Sequence, residues 1–179
     1  MNITLNTTLD TKRLRLRPVD LSDVDLVWEV SRFEGFTDGM TWDPPSSRQE
    51  IVEITHRNLA HWEQGEDYVF TIDLLKPACP IGRVGLQKES APSTWNLGFW
   101  VHPDHWGNGY ASEAARAVLD FGFNTLHADH IVTAHASWNK RSQRVIQGLG
   151  FNYVGVNPAG FYKNDDPVEE VEYELRRAL

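Results

Sequence analysis

Charged and apolar positions alternate strictly through residues 13–17, Arg-Leu-Arg-Leu-Arg. That is the period of a strand with Leu14 and Leu16 turned inward, and Pro18 ends it. From Asp20 to Phe33 the period changes: Leu21, Val24, Leu26, Val27 and Val30 recur close to helical spacing behind acidic and serine starters, predicting a first helix. A loop dense in Gly, Asp and Pro runs from Glu34 to Pro45. A second helix is then expected from about Arg48 to Trp62, capped by Ser46 or Ser47 with Glu50 in reach of a capping-box position.

The middle of the chain reads differently. Segments 68–75, 80–87 and 94–101 are short, rich in β-branched and aromatic residues and separated by turn-forming stretches, which predicts an antiparallel meander of three strands. Residues 111–126 carry a strong helical pattern, 130–137 a strand, and 139–150 a short helix ended by Gly148 or Gly150. Two further strands follow at 151–156 and 168–177. The expected fold class is α+β, a mixed and mostly antiparallel central sheet of about seven strands flanked by about four helices, in one domain over 1–179.

Composition narrows the partners. The 179 residues are 41% apolar, enough for one core, and 17 basic against 25 acidic residues give a formal charge of −8. That field disfavours nucleic acid and anionic membrane surfaces. The single cysteine, Cys79, permits no internal disulfide and suits a reducing compartment, so a cytoplasmic location is expected. The N-terminal stretch lacks the apolar core of a signal peptide, and no apolar run is long enough to span a bilayer.

Candidate chemistry gathers at His-Pro-Asp-His-Trp-Gly-Asn-Gly-Tyr-Ala, residues 102–111. Gly107 and Gly109 let a ligand approach bare backbone, and a helix starting near Gly109 offers unpaired N–H groups at the positive end of its dipole, an anion site suited to a pyrophosphate. A ligand-free tight turn is the other reading of such a glycine pair. The stretch is no P-loop, since Tyr110-Ala111-Ser112 stands where a Lys followed by Ser or Thr is needed. It is no Rossmann fingerprint either, since Ser112 holds the place of the third glycine and the preceding strand belongs to the meander.

These residues resemble the GNAT superfamily of N-acetyltransferases, in particular its RimJ/RimL-like branch of ribosomal-protein alanine acetyltransferases. Residues 97–114 are similar to the family's strand, loop and pyrophosphate-binding helix, with the pattern Q/R-x-x-G-x-G/A read here as Trp106-x-x-Gly109-x-Ala111. Residues 138–151 resemble the branch's N-x-x-S followed by a helix and Gly-Phe. Residues 13–23 and 40–47 resemble its opening strand and helix and the loop before its second helix.

The resemblance implies acetyl-CoA as co-substrate, no metal, and an amine acceptor that is either a protein N-terminus or a small molecule, with a monomer or homodimer as the working unit. It implies that the main chain of Phe99, Trp100 and Val101 meets the pantetheine arm and that amides of Trp106, Gly107, Asn108, Gly109, Tyr110 and Ala111 hold the pyrophosphate. Asn139 is implied as a pantetheine hydrogen-bond partner. Lys140, Arg141 and Arg144 either face the nucleotide end or form a solvated face. Ser142 is implied as the proton donor to the leaving thiolate and as a cofactor contact, because Ile146 stands where many superfamily members place a tyrosine. Asn96 stands where a glutamate base is common. Glu34, Asp38, Asp43 and His102 are the remaining candidates for that base, unless the amine arrives already deprotonated. Glu34, Met40 and Trp42 are the candidate acceptor contacts, Trp42 being either a pocket wall or a plug over the core. With both ionisable groups replaced, a non-catalytic acetyl-CoA-binding module is the alternative reading.

Overall fold

A computed structural model describes residues 3–177. The ends of the expected 1–179 domain, including the first two residues of the N-terminal stretch discussed above, lie outside the described residues. Its strands are β1 (Leu9–Asp10), β2 (Leu14–Pro18), β3 (Asp67–Leu75), β4 (Ala78–Lys88), β5 (Thr94–Val101), β6 (His130–Ala136), β7 (Asn152–Lys163) and β8 (Asp166–Arg176). The α-helices are α1 (Val24–Val30), α2 (Arg48–Gln64), α3 (Tyr110–Asn124) and α4 (Lys140–Gly148). All eight strands form one sheet in the order β1-β2-β3-β4-β5-β6-β8-β7, antiparallel throughout except where β5 meets β6.

The alternation in the first strand is realised: Leu14 and Leu16 are fully buried, while Arg15 pairs outward with Asp10 at 2.7 Å. Arg17 turns toward the start of α1. There the wholly buried Asp23 accepts from Arg17 Nη2 at 2.6 Å, from Thr71 Oγ1 at 2.6 Å and from the Asp20 amide at 2.8 Å. A buried carboxylate is tolerated only when its oxygens are met in this way. At α2 the cap is divided between two serines. Ser47 Oγ accepts from the Glu50 amide, and the Glu50 carboxylate accepts from the Ser46 amide at 2.7 Å.

Three features exceed the sequence expectation. The two-residue β1 is an eighth strand, paired with β2 through Leu9↔Leu16 and Asp10↔Arg15. The first helix is shorter than its pattern, because a 3₁₀ turn at Leu21–Asp23 precedes α1. The strand expected at 151–156 continues to Lys163 and returns through Asn164 and Asp165, both at positive φ (49° and 68°), the geometry of a two-residue hairpin turn.

What positions the site is the break between β5 and β6. Their parallel pairing covers only Thr94↔His130, Trp95↔Ile131 and Asn96↔Val132. Thr133 Oγ1 donates to Leu97 O at 2.9 Å as the last link, after which β5 stays with β4 and β6 stays with β8. A wedge opens there, and the helices that follow the two strands, α3 and α4, both begin at its mouth. Behind it the core gathers residues from both helices and the central strands, among them Phe70, Leu86, Val118, Ile131 and Ile146.

Candidate active site

The wedge contains a cavity of about 260 Å³. Phe99, Trp100 and Val101 of β5 form one side, Trp106, Gly107, Gly109, Tyr110 and Ala111 the turn into α3, Asn139 and Ser142 the start of α4, and Met40 the loop before α2. Asn108, Glu34 and Trp42 do not line it. Asn108 instead fixes the turn from behind: its Nδ2 donates to His105 O (3.2 Å) and Trp106 O (3.1 Å), and its own carbonyl accepts from Arg13 Nη1 at 3.0 Å. Glu34 is exposed to solvent.

Strand geometry decides which main-chain groups face the wedge. The His102 amide donates to Ile81 O on β4 at 2.7 Å, and Leu97 O faces β6. Hydrogen-bonding direction alternates along a strand, so Phe99 and Val101 point toward the wedge while Trp100 points toward β4. Val101 O accepts from the Trp106 indole N–H at 2.7 Å. Trp100 therefore contributes its ring.

The turn into α3 is a cradle of free donors. The Trp106 amide is used by Pro103 O at 3.1 Å, but among the described residues no acceptor meets the amides of Gly107 through Ser112; Glu113 is the next to bond, to Gly109 O at 3.0 Å. Gly107 and Gly109 both sit at φ 78°, where a side chain is strained, and open space stands where a Gly107 Cβ would be. Arg13 braces the turn from outside, with Nε 2.7 Å from Glu113 Oε2 and its guanidinium 4.6 Å from the Tyr110 ring centre. Burial pushes the Glu113 carboxyl up, but hydrogen bonds from Thr11 and Arg13 outweigh it and hold the group below the ordinary carboxylate value.

Across the wedge, Asn139 is the N-cap of α4. Its Oδ1 accepts from the Ser142 amide at 3.2 Å, leaving its amide nitrogen on the side of Gly39. Ser142 Oγ has no partner among the described residues. Arg141 and Arg144 line the cavity and are the only Lys, Arg, Asp or Glu side chains that do so among the described residues, giving a locally basic mouth on an acidic protein. Lys140 turns away, Nζ to Ser137 O at 3.3 Å.

The other sequence candidates fall outside. Ile146 is fully buried in the core and Asn96 does not line the cavity. Asp43 pairs with Lys163 Nζ at 2.7 Å, and the same Nζ donates to Trp42 O at 2.6 Å. His102 caps the 3₁₀ turn Pro103–His105 and packs edge-on against Phe33, whereas His105, three residues on, lines the cavity. Sequence reasoning passed over His105, Arg13 and Phe36. Phe36 is buried at the centre of an aromatic group, 5.9 Å from Trp100, 6.3 Å from Trp42 and 6.5 Å from Trp106. The turn residues around it gave no sign that this ring would point inward.

Among the described residues no helix is long and apolar enough to cross a membrane, and no His, Cys, Asp and Glu group is arranged to hold a metal.

Set against known proteins, residues 13–152 match the family described as acetyltransferase (GNAT) domain. The "Uncharacterized N-acetyltransferase YnaD" of Bacillus subtilis (strain 168) is 27% identical over 167 residues, covering 93% of this chain and 95% of its own. An acetyltransferase structure from Agrobacterium tumefaciens superposes with a TM-score of 0.76 at 26% identity, over 96% of this chain and 95% of that one. The structure of RimL, a ribosomal L7/L12 alpha-N-protein acetyltransferase in complex with coenzyme A, superposes with a TM-score of 0.86 at 18% identity, over 95% and 98%.

Proposed function

This chain belongs to the acetyltransferase (GNAT) family, and from that premise we propose that it transfers an acetyl group from acetyl-CoA to a primary amine, on a protein N-terminus or a small molecule, by direct attack with both partners bound. The observation that carries the reading is the cavity where β5 and β6 part, with two helix N-termini beside it and the Ser142 hydroxyl, unbonded among the described residues, on its wall.

The residues present fit the co-substrate. The free amides from Gly107 to Ala111 suit a pyrophosphate, the positive end of α3 reinforces them, and Arg141 and Arg144 add positive charge at the mouth. The wedge-facing main chain of Phe99 and Val101 suits the amide-bearing pantetheine arm. Bound there, acetyl-CoA supplies the acetyl group as a thioester, whose carbonyl accepts an amine.

The chain's own groups manage the protons. Asn139 fixes the first turn of α4 by holding the Ser142 amide, so the Ser142 hydroxyl is free to hold the proton that the departing sulfur requires. Among the described residues no Asp or Glu lines the cavity, so the amine proton is assigned to the His105 ring on the wall or to solvent. The aromatic wall restricts water around the reacting atoms, which strengthens each remaining polar contact.

The burial of Ile146 and the position of Asn96 favour one second reading, a binding module without turnover. Thiol release from acetyl-CoA across a panel of amines and peptides, with product mass as the readout, separates the two. Turnover supports the transferase, and micromolar binding without thiol release supports the module.

A further inference from the structure

Resting on the acetyltransferase reading, we propose that the acceptor carries a flat apolar group, an aromatic ring in particular, a few carbons from its amine, and that Trp138 is the residue that selects it.

The wall opposite the glycine turn comes from the loop between α1 and α2 and from the two strand ends. It consists of Phe36, Met40, Trp100 and Trp138, with Gly39 between them. Phe36 is buried and fixed by its edge-on contact with Trp100, so this part of the wall is rigid. Trp138 differs. Its ring lies along Gly39, close enough that a Cβ built on that glycine would stand 3.1 Å from the ring, yet the residue is 54% exposed. Among the described residues it makes no aromatic or cation pair, whereas Trp28, Trp62, Trp95, Trp100 and Trp106 all do. A large ring held at the rim of a cavity with no partner is a stacking surface.

Charge on the wall points the same way. Among the described residues the lining contains no carboxylate, and its two guanidinium groups, Arg141 and Arg144, lie on the side assigned to the co-substrate's phosphates. The nearby acids are outside it: Glu34 and Asp38 are exposed, and Asp43 is paired with Lys163. An acceptor with a second ammonium group, such as a polyamine, finds no carboxylate among the described lining residues to pair with. The same chemistry is offered by a small arylalkylamine or by an aromatic first residue of a peptide.

The test measures initial rates of acetylation by the full chain with 2-phenylethylamine, tryptamine, a peptide beginning with Phe, peptides beginning with Ala and Ser, and spermidine. We expect kcat/KM for the best aromatic acceptor to exceed that for spermidine and for the Ala and Ser peptides by a factor of about 10 or more. Comparison of the two amines with the Phe peptide tells a small-molecule source from a peptide source. Trp138→Ala should raise the KM of the aromatic acceptor by a factor of about 3 to 10, and Trp138→Phe should restore most of it. Preference for spermidine, alanine or serine acceptors overturns the aromatic class while leaving the acetyltransferase reading in place, as does an unchanged aromatic KM in folded Trp138→Ala. Thiol release with none of the acceptors overturns both.

Discussion

The guanidinium of Arg141 lies over the Trp106 indole, 3.7 Å from the ring centre, while the indole N–H is committed to Val101 O. One tryptophan thus joins the first turn of α4 to the end of β5 across the mouth of the cavity. This gives a physical reason for tryptophan at the head of the glycine motif: its ring is a platform for a cation and its N–H a strut.

Removing the cation tests that bridge. Arg141→Ala should raise the KM for acetyl-CoA by a factor of about 3 to 10, as expected for a partly exposed cation–π pair and one lost anion contact. Arg141→Lys should recover only part, because an ammonium does not stack as a planar guanidinium does. Steady-state kinetics at fixed acceptor check both.

Ser142→Ala should lower kcat by a factor on the order of 10²–10⁴ with little change in the acetyl-CoA dissociation constant measured by calorimetry. Full kcat in this variant would show that water protonates the sulfur. Ile146→Tyr offers no substitute donor. Ile146 is fully buried in the core, so the larger ring should destabilise the fold by about 1–3 kcal/mol and lower the Tm.

At Gly109 the backbone itself is the test. Its φ of 78° suits glycine and, less well, asparagine. Gly109→Glu should weaken acetyl-CoA binding by a factor of about 100 or more, since it adds strain and a negative charge at the turn proposed to hold the pyrophosphate. Gly109→Asn should lose far less. Equal affinities by titration calorimetry would remove the turn from the site.

Burial pushes the Asp67 carboxyl up to about 6, with His61 partly opposing the shift. A carboxyl raised in the folded state stabilises the protein fully below its unfolded value of 3.8, and that contribution is lost as the pH rises toward about 6. Asp67→Asn should therefore leave the Tm nearly unchanged at pH 3.5 and raise it at pH 8, by up to about 3 kcal/mol of stability. Thermal melts across that range check the sign.

Arg83 is 8% exposed, its Nε and Nη2 meet no partner among the described residues, and burial lowers its pKa to about 10 against the attraction of Asp23. Asp23 keeps Arg17, Thr71 and the Asp20 amide without it. Arg83→Met should accordingly hold or raise the Tm, because an unpaired buried charge is replaced by a chain of similar length. A fall of several degrees would mean that Arg83 has a role the packing does not account for.

How far the sequence foretold this structure depends on the range of the interactions. Leu14 and Leu16, the meander from Asp67 to Val101 and the helix after Gly109 were legible because each carries its own period or turn signal. The two residues of β1 carry none and become a strand only by pairing with Arg15 and Leu16. Within β7, Asn157-Pro158-Ala159-Gly160 reads as a turn and is realised as an irregularity in the pairing with β8, which resumes only at Phe161↔Val168, so the strand's continuation past it is a property of the hairpin. At the site, the glycines and Ser142 were visible as a motif. Arg13 was not, because its contacts to Asn108 and Glu113 lie 95 and 100 residues away. Phe36 was hidden for a related reason, since nothing within its loop records that Trp100 and Trp106 will surround it.

The ion pair between Lys163 and Asp43 sets an order of events in biosynthesis. The loop that carries Phe36, Gly39 and Met40 is anchored at Trp42 and Asp43 by a side chain that lies 120 residues later in the chain. At elongation rates of about 5–20 residues per second, the lysine leaves the ribosome roughly 6–24 s after its partner. During that interval the glycine turn and much of the sheet can assemble, while the loop lacks this tie at Trp42 and Asp43. The nascent chain therefore has its glycine turn before Lys163 ties the loop that carries Phe36, Gly39 and Met40, and the cavity is complete only once the final hairpin brings β8 to β6.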